Sequence, residues 1–340
     1  MSTQHSVEQP DVALLELVAG VWLGPALYAV TSLGVADAIR NGSRHIEDIA
    51  RTVGANSDAL YRVMRALTAS HVFEESAPRT FTNGSIGKLL ESDTSGSMRA
   101  LVLLPPQGGR EMVHSVKTGE SAFEHKHGMS LFDYLEKNPK SLKIHADAMN
   151  AMAGRFARAF LSAYDVAPFR TVVDVGGGQG AILREILQIH SRVRGILYDL
   201  PNAIAAATPK MHASGLAERC TCVPGNFFES VPAGGDLYLL SSVIHDWDDE
   251  RAVRILKNCR SVLSDNQRLI LLERIIPNEA DERGGAASTM LLDLMLLVTS
   301  TGGRERTEDE FRALLARADL RLNRTISTDS LVHVIEAVAI

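Results

Sequence analysis

Three residues far apart in the chain, His245, Glu273 and Glu305, are of the types needed to take a proton from a hydroxyl group. His245 closes the run S-S-V-I-H, Glu273 closes L-I-L-L-E, and Glu305 lies in G-G-R-E-R-T-E after an apolar helical stretch. A neutral imidazole beside a hydroxyl is a general base, and a carboxylate on its other nitrogen fixes the tautomer and stabilises the imidazolium. The residues alone leave a second reading open, a satisfied histidine with two structural acids. The choice turns on whether the elements that carry them converge.

Those elements are organised around residues 171–180, T-V-V-D-V-G-G-G-Q-G. Val172, Val173 and Val175 suit a strand buried on both faces. Gly176, Gly178 and Gly180 then let the backbone turn sharply and approach a ligand. A dinucleotide-binding turn reads G-x-G-x-x-G; here the spacing is G-x-G-x-G with Asp174 two residues upstream, which resembles the first motif of S-adenosylmethionine-dependent methyltransferases. The segment R-G-I-L-Y-D-L-P reads as the next strand and ends in Asp199, 19 residues beyond Gly180. A carboxylate there is placed to accept hydrogen bonds from both hydroxyls of a cofactor ribose. The glycine loop alone also describes a ligand-free tight turn, and Asp199 argues for the nucleoside cofactor.

Strand and helix patterns keep alternating after Asp199: C-T-C-V-P-G-N-F-F, D-L-Y-L-L-S-S-V-I-H, a helix over 250–263, then R-L-I-L-L-E. This alternation predicts a mainly parallel, doubly wound α/β sheet with ligands at the strand C-terminal ends, where His245, Glu273 and Glu305 would meet. The acids of H-D-W-D-D-E read as the capped start of the helix and call for no magnesium. L-R-L-N-R-T-I-S and L-V-H-V-I-E-A-V-A-I predict a closing hairpin that adds an antiparallel edge.

Upstream, 33–90 carries short amphipathic helices, the last capped by Ser57, followed by two short strands around Pro78: a winged-helix pattern. Arg62 and Arg65 are too few cations for a phosphate-binding face, so the pattern reads as packing and dimerisation. Residues 12–36 have one charge, Glu16, and are long enough to span a bilayer, but Pro25 and three glycines divide them into two helices for a core or subunit interface. Net charge −6 argues against a generic nucleic-acid or anionic-membrane partner. The three cysteines lack metal spacing and read as buried hydrophobes in a reducing cytoplasm. The polar segment 1–10 has no secretory pattern. Residues 100–164 read as mostly helical around a solvated loop holding His125 and His127, with a long helix over 141–163 whose Met149, Met152, Phe156 and Phe160 form one stripe.

Taken together, V-D-V-G-G-G-Q-G, Y-D-L-P, G-N-F-F-E-S-V-P, V-I-H-D-W-D-D-E, E-R-I-I-P and G-G-R-E-R-T-E-D-E-F, in this order and over essentially the whole chain, resemble the plant-type family of small-molecule O-methyltransferases. The resemblance implies a winged-helix dimerisation domain over 1–100, a helical connector lining the substrate pocket over 101–165, and an S-adenosylmethionine-binding Rossmann-like domain over 166–340. It implies Gly176, Gly178 and Asp199 as cofactor contacts, Asn226 and Phe227 beside the adenine, and Ser241 nearby. It makes His245 the general base, Glu273 and Glu305 its orienting acids, and Met149 and Met152 acceptor contacts. The family usually has Asp at Asn226 and commonly Lys at Ser241. A homodimer acting on an aromatic hydroxyl without a metal is the expectation; a relative turned to hydroxylation or decarboxylation, or a winged-helix ligand sensor, is the alternative.

Overall fold

The computed structural model describes residues 9–94, 96–104, 111–277 and 285–340. The reading of 1–10 therefore lies almost wholly outside the described residues. The chain forms two compact units, residues 1–104 and 105–340.

The first unit begins with α1 (Pro10–Gly20) and α2 (Leu23–Leu33), the expected two helices, parted at Val21–Trp22. After α3 (Val35–Ala38) come β1 (Arg44–His45), α4 (Ile46–Val53), α5 (Ser57–Thr68), β2 (Phe73–Ala77), β3 (Thr80–Asn83) and α6 (Arg99–Val102). The strands form a small antiparallel sheet in the order β1-β3-β2, one short strand more than the sequence indicates. Ile46, Ile49, Leu60, Met64 and Leu67 point into one core with Phe73 and Phe81, as the helical spacing requires. The cap of α5 is Asn56 rather than Ser57: the Asn56 side-chain oxygen accepts the Ala59 N–H at 2.9 Å, and Ser57 is already inside the helix. Asn ranks at least as high as Ser at this position, and the side chain one residue earlier is the one that reaches the orphan amide.

The second unit opens with α7 (Met112–Thr118), α8 (Ala122–His127), α9 (Leu131–Lys137) and α10 (Pro139–Ala163). The supposed loop around His125 and His127 is thus a correction. Ser121 caps a short helix there, accepting the Glu124 N–H at 3.2 Å. His125 stacks on His114 at 3.9 Å between ring centroids, and His127 packs on Phe123 at 4.3 Å. The sheet then builds in sequence: β4 (Thr171–Val175), α11 (Ala181–Ile189), β5 (Arg194–Asp199), α12 (Pro201–Ala213), β6 (Cys220–Pro224), β7 (Leu237–Ser241), α13 (Asp249–Ser261), β8 (Arg268–Glu273), α14 (Gly285–Thr299), α15 (Glu308–Ala316), β9 (Leu320–Ser327) and β10 (His333–Ala339).

Seven strands lie in the order β6-β5-β4-β7-β8-β10-β9. The first five pair in parallel; β10 is antiparallel to β8, with His333 opposite Glu273, and β9 is antiparallel to β10. Helices α13 and α15 cover the face that presents Val173, Val175 and Leu271, while α10, α11 and α12 cover the face that presents Val172, Leu197 and Leu272. Strand order reverses between β4 and β7, so the loops leaving these two strands bound the crevice where such sheets take ligands.

The cap assignment gives a direct test. Asn56→Ala should lower stability by about 1 kcal/mol, whereas Ser57→Ala should leave it nearly unchanged; equal losses in chemical denaturation would contradict the assignment.

Candidate active site

The loop after β4 supplies the floor of the crevice. Gly176 has φ +70, and a Cβ there would lie 2.9 Å from Val243 Cγ2, with Phe227 Cε1 in ordinary contact at 3.4 Å, so the backbone angle and the approach of Val243 together favour glycine. Gly178 has φ +57 and nothing within 4 Å of its would-be Cβ, which leaves an open, conformationally restricted surface facing the crevice. Below it Asp174 is fully enclosed with neither oxygen hydrogen-bonded; burial first, and the charge of Asp199 second, raise its carboxyl to about 7. The loop is tied sideways as well: Gln179 accepts hydrogen bonds from Asn150 of α10 at 2.7 Å and from Lys210 of α12.

Asp199, at the end of β5, reaches across to this loop. Its Oδ2 accepts the Gly178 N–H at 2.7 Å and its Oδ1 accepts the Leu200 N–H at 2.6 Å. Each oxygen keeps a second lone pair. Burial raises the Asp199 carboxyl pKa, and the two amide bonds oppose that rise. A glycine surface with no side chain, flanked by a carboxylate with free acceptor sites, fits a nucleoside with two hydroxyls. Phe227 stands beside Gly176 and continues as an aromatic cluster through Phe228, 4.9 Å away, to Trp247, 4.8 Å further. Asn226 is partly engaged locally, its oxygen accepting the Phe228 N–H at 3.0 Å and its amide donating to Glu229. Ser241 ends β7 half-buried, and Ser242 follows with φ +51, which turns the chain toward His245.

The three proton-handling residues do meet. His245 lies in a single 3₁₀ turn, Ile244–Asp246, and is 8 % exposed. Its Nδ1 is 3.2 Å from Glu305 Oε1, a hydrogen bond, and 3.8 Å from Glu273 Oε2, too long for one. Glu273 works chiefly on the backbone: its Oε1 accepts the Val243 and Ile244 N–H groups at 3.0 and 2.8 Å and so fixes the turn. Glu305 Oε1 also accepts from Arg274 Nη1 at 3.1 Å, and the guanidinium of Arg274 lies 5.6 Å over the Phe156 ring. Burial alone would raise the Glu305 carboxyl; the hydrogen bond to His245 and the charge of Arg274 hold it below the usual range. For His245, burial pulls the imidazole down, but Glu273, Asp246 and Glu305 outweigh it and raise the pKa to about 9.

Asp246 and Arg274 escaped the sequence reading. Asp246 sits among acids that read as helix caps, and Asp248 does cap α13, accepting the Arg251 N–H at 2.8 Å. Asp246 instead turns inward, with Oδ1 3.7 Å from His245 Nε2. The run E-R-I-I-P marked Arg274 only by adjacency to Glu273. On α10, Met149 is 41 % exposed and Met152 half-buried, two turns and one turn before the buried Phe156 that carries Arg274. Among the described residues, the ligand atoms of His245, Glu273 and Glu305 lie within 4.8 Å of one another, but the Arg274 cation already occupies Glu305.

Comparison with known proteins gives this geometry a context. Residues 110–321 match the model of an O-methyltransferase domain and residues 15–93 that of an O-methyltransferase dimerisation domain. A phenazine O-methyltransferase of Lysobacter antibioticus is 37 % identical over 95 % of each chain. A phenazine-1-carboxylate N-methyltransferase of Pseudomonas aeruginosa is 30 % identical over 92 % of each. The solved structure of an O-methyltransferase from neocarzinostatin biosynthesis, in complex with S-adenosylmethionine and 2-hydroxy-5-methyl naphthoic acid, has TM-score 0.75 and 30 % identity over 93 % of this chain and 96 % of that one.

Asp199→Ala should weaken S-adenosylmethionine binding by roughly 1.5 to 3 kcal/mol, the worth of hydrogen bonds to a charged acceptor. Calorimetry that returned an unchanged affinity would remove Asp199 from the cofactor site.

Proposed function

The chain belongs to the family of S-adenosylmethionine-dependent O-methyltransferases, and from that premise we propose that His245 is the general base that deprotonates a hydroxyl on a small aromatic acceptor during methyl transfer. The observation that carries this reading is the enclosed imidazole whose Nδ1 is held by Glu305 at 3.2 Å, while its Nε2 makes no hydrogen bond to the described residues and has Asp246 Oδ1 3.7 Å away. Bound S-adenosylmethionine supplies a methyl group on a sulfonium, an electrophile that needs an in-line nucleophile and no metal.

The chain's own residues do the rest. Gly176, Gly178 and Asp199 would hold the nucleoside end of the cofactor, with Phe227 and Asn226 flanking the adenine and Ser241 nearby. Met149 and Met152 form an adaptable apolar wall for an aromatic ring. Glu305 accepts Nδ1–H, which leaves Nε2 as the acceptor of the hydroxyl proton. Glu273 keeps the turn rigid and adds negative charge that stabilises the imidazolium once formed. An imidazole pKa near 9 lies within about one unit of a phenol near 10, so proton transfer between them is close to balanced. The cost is occupancy: with the pKa raised this far, most of the imidazole is protonated at neutral pH before ligands bind.

The sign of the pH dependence follows from that shift. The deprotonated base is the active form, so the rate should climb with pH through about 9 instead of levelling near 6.5. His245→Ala should leave cofactor affinity nearly intact and lower methyl transfer by about 10² to 10⁴. Near-native turnover in that variant would leave proximity alone, or an already ionised acceptor, as the source of rate. A panel of phenols and hydroxylated heteroaromatics with matched amines separates oxygen from nitrogen acceptors by the site of the added methyl.

We further propose a homodimer through α1 and α2, supported by the dimerisation-domain match and by Leu14, Leu17 and Trp22 at 61, 77 and 71 % exposure in the single chain. A run of large apolar side chains this exposed marks an interaction surface. Light scattering should report a dimer at micromolar concentration, and Leu17→Asp with Trp22→Asp should split it; a monomeric native protein would contradict the assignment.

A further inference from the structure

The motif G-G-R-E-R-T-E gives the proton relay only its central glutamate, yet its two arginines grip the turn that carries the base. We propose that Arg306 is a positioning residue for His245, a clamp that sets where the imidazole stands. This inference rests on the reading of His245 as the base.

Arg306 is 0 % exposed, first among the largest fully buried side chains. Its Nη1 donates to the Ile244 carbonyl at 3.1 Å and its Nη2 to the Trp247 carbonyl at 2.7 Å, so the guanidinium spans the two residues that bracket His245–Asp246. The same group binds Asp249 Oδ1 through Nε at 3.2 Å and through Nη2 at 2.9 Å, which fastens it to the first residue of α13. Arg304 completes the grip. Its backbone N–H donates to the His245 carbonyl at 2.8 Å, and its side chain reaches Asp249 at 3.2 Å. A parallel bridge between Ile275 and Arg306 anchors the segment beside the end of β8. No slack remains: a Cβ on Gly302 would stand 2.7 Å from Asp248 Cβ, and one on Gly303 would stand 3.1 Å from the Asp246 carbonyl oxygen.

The geometry carries a functional argument beyond packing. Three successive residues read one turn in two ways, the arginines through its backbone and Glu305 through the imidazole itself. A planar group with five donors spread over three nitrogens can reach two carbonyls and a carboxylate at once, whereas the three donors of a lysine all sit on one nitrogen. Because Glu305 is flanked by both anchors, a shift of the turn changes the distance from Nδ1 to Oε1 and the direction of Nε2 together. A displacement of about 1 Å at a reacting group costs about 10²-fold in rate.

A double-mutant cycle between Arg306→Gln and His245→Ala, with Arg306→Lys beside it, tests the clamp. Arg306→Gln should lower kcat about 10²-fold while KM for a phenolic acceptor and Kd for S-adenosylhomocysteine stay within a few-fold; Arg306→Lys should recover part of the loss. In the His245→Ala background the second substitution should have almost no further effect on turnover, because the group it positions is gone. Losses that multiply in the double variant, or a change confined to KM or Kd, would overturn the proposal. If Arg306→Gln does not fold, Asp249→Asn enters the same cycle, with a smaller loss that must also vanish without His245. The single His245→Ala arm reports separately on the base: full activity there would sink the base and, with it, the clamp.

Discussion

One carboxylate oxygen, Glu305 Oε1, stands 3.2 Å from the imidazole and 3.1 Å from a guanidinium, and the His245 cluster at the C-terminal ends of the strands is arranged around that shared contact. A buried charge is costly unless it is paired and hydrogen-bonded. Here an imidazole, a guanidinium and three acids share one small volume. Glu273 is held by two amides of the turn, Arg274 by Phe156, and Glu305 by Asp293, which accepts the Glu305 backbone N–H at 2.7 Å. The imidazole at the centre is the element with a readily changed charge. That is the property a proton acceptor needs, and it follows from the surrounding acids outweighing burial.

The sheet brings this cluster to the cofactor loop by topology alone. His245 follows β7 and the glycine loop follows β4, neighbouring parallel strands on either side of the order reversal. Val243 touches both sites: its N–H is taken by Glu273, and its side chain limits the room beside Gly176. Phe227 and Trp247 extend the contact through aromatic rings. The glycine loop and the turn bearing His245 are thus joined by a few direct contacts.

Much of this was legible in the sequence, for definite reasons. Strand period, glycine spacing and the offset to Asp199 are local signals, and they located every parallel strand and both ends of the glycine loop. Motif order placed His245, Glu273 and Glu305 at strand ends, and topology then brought them together. What stayed hidden depends on side-chain direction. Glu273 and Glu305 look equivalent in sequence, yet one binds backbone and the other the imidazole. Asp246 hides among helix-capping acids because a 3₁₀ turn, invisible to periodicity, points it inward. Ser57 and Asn56 are both good caps, and only the backbone angle at Asn56 decides between them. The helix around His125 was missed because six residues are too few to show a helical period, although Ser121 and Gly128 do mark its ends.

The acids around His245 should make it a stronger base than a free imidazole, and nitrogen-15 NMR of labelled histidine, titrated in the S-adenosylhomocysteine complex and identified by difference from His245→Ala, measures this directly. The prediction is a midpoint near 9 that falls when Glu305 is replaced by Gln. A midpoint at or below about 6.5, or one insensitive to Glu305→Gln, would contradict it.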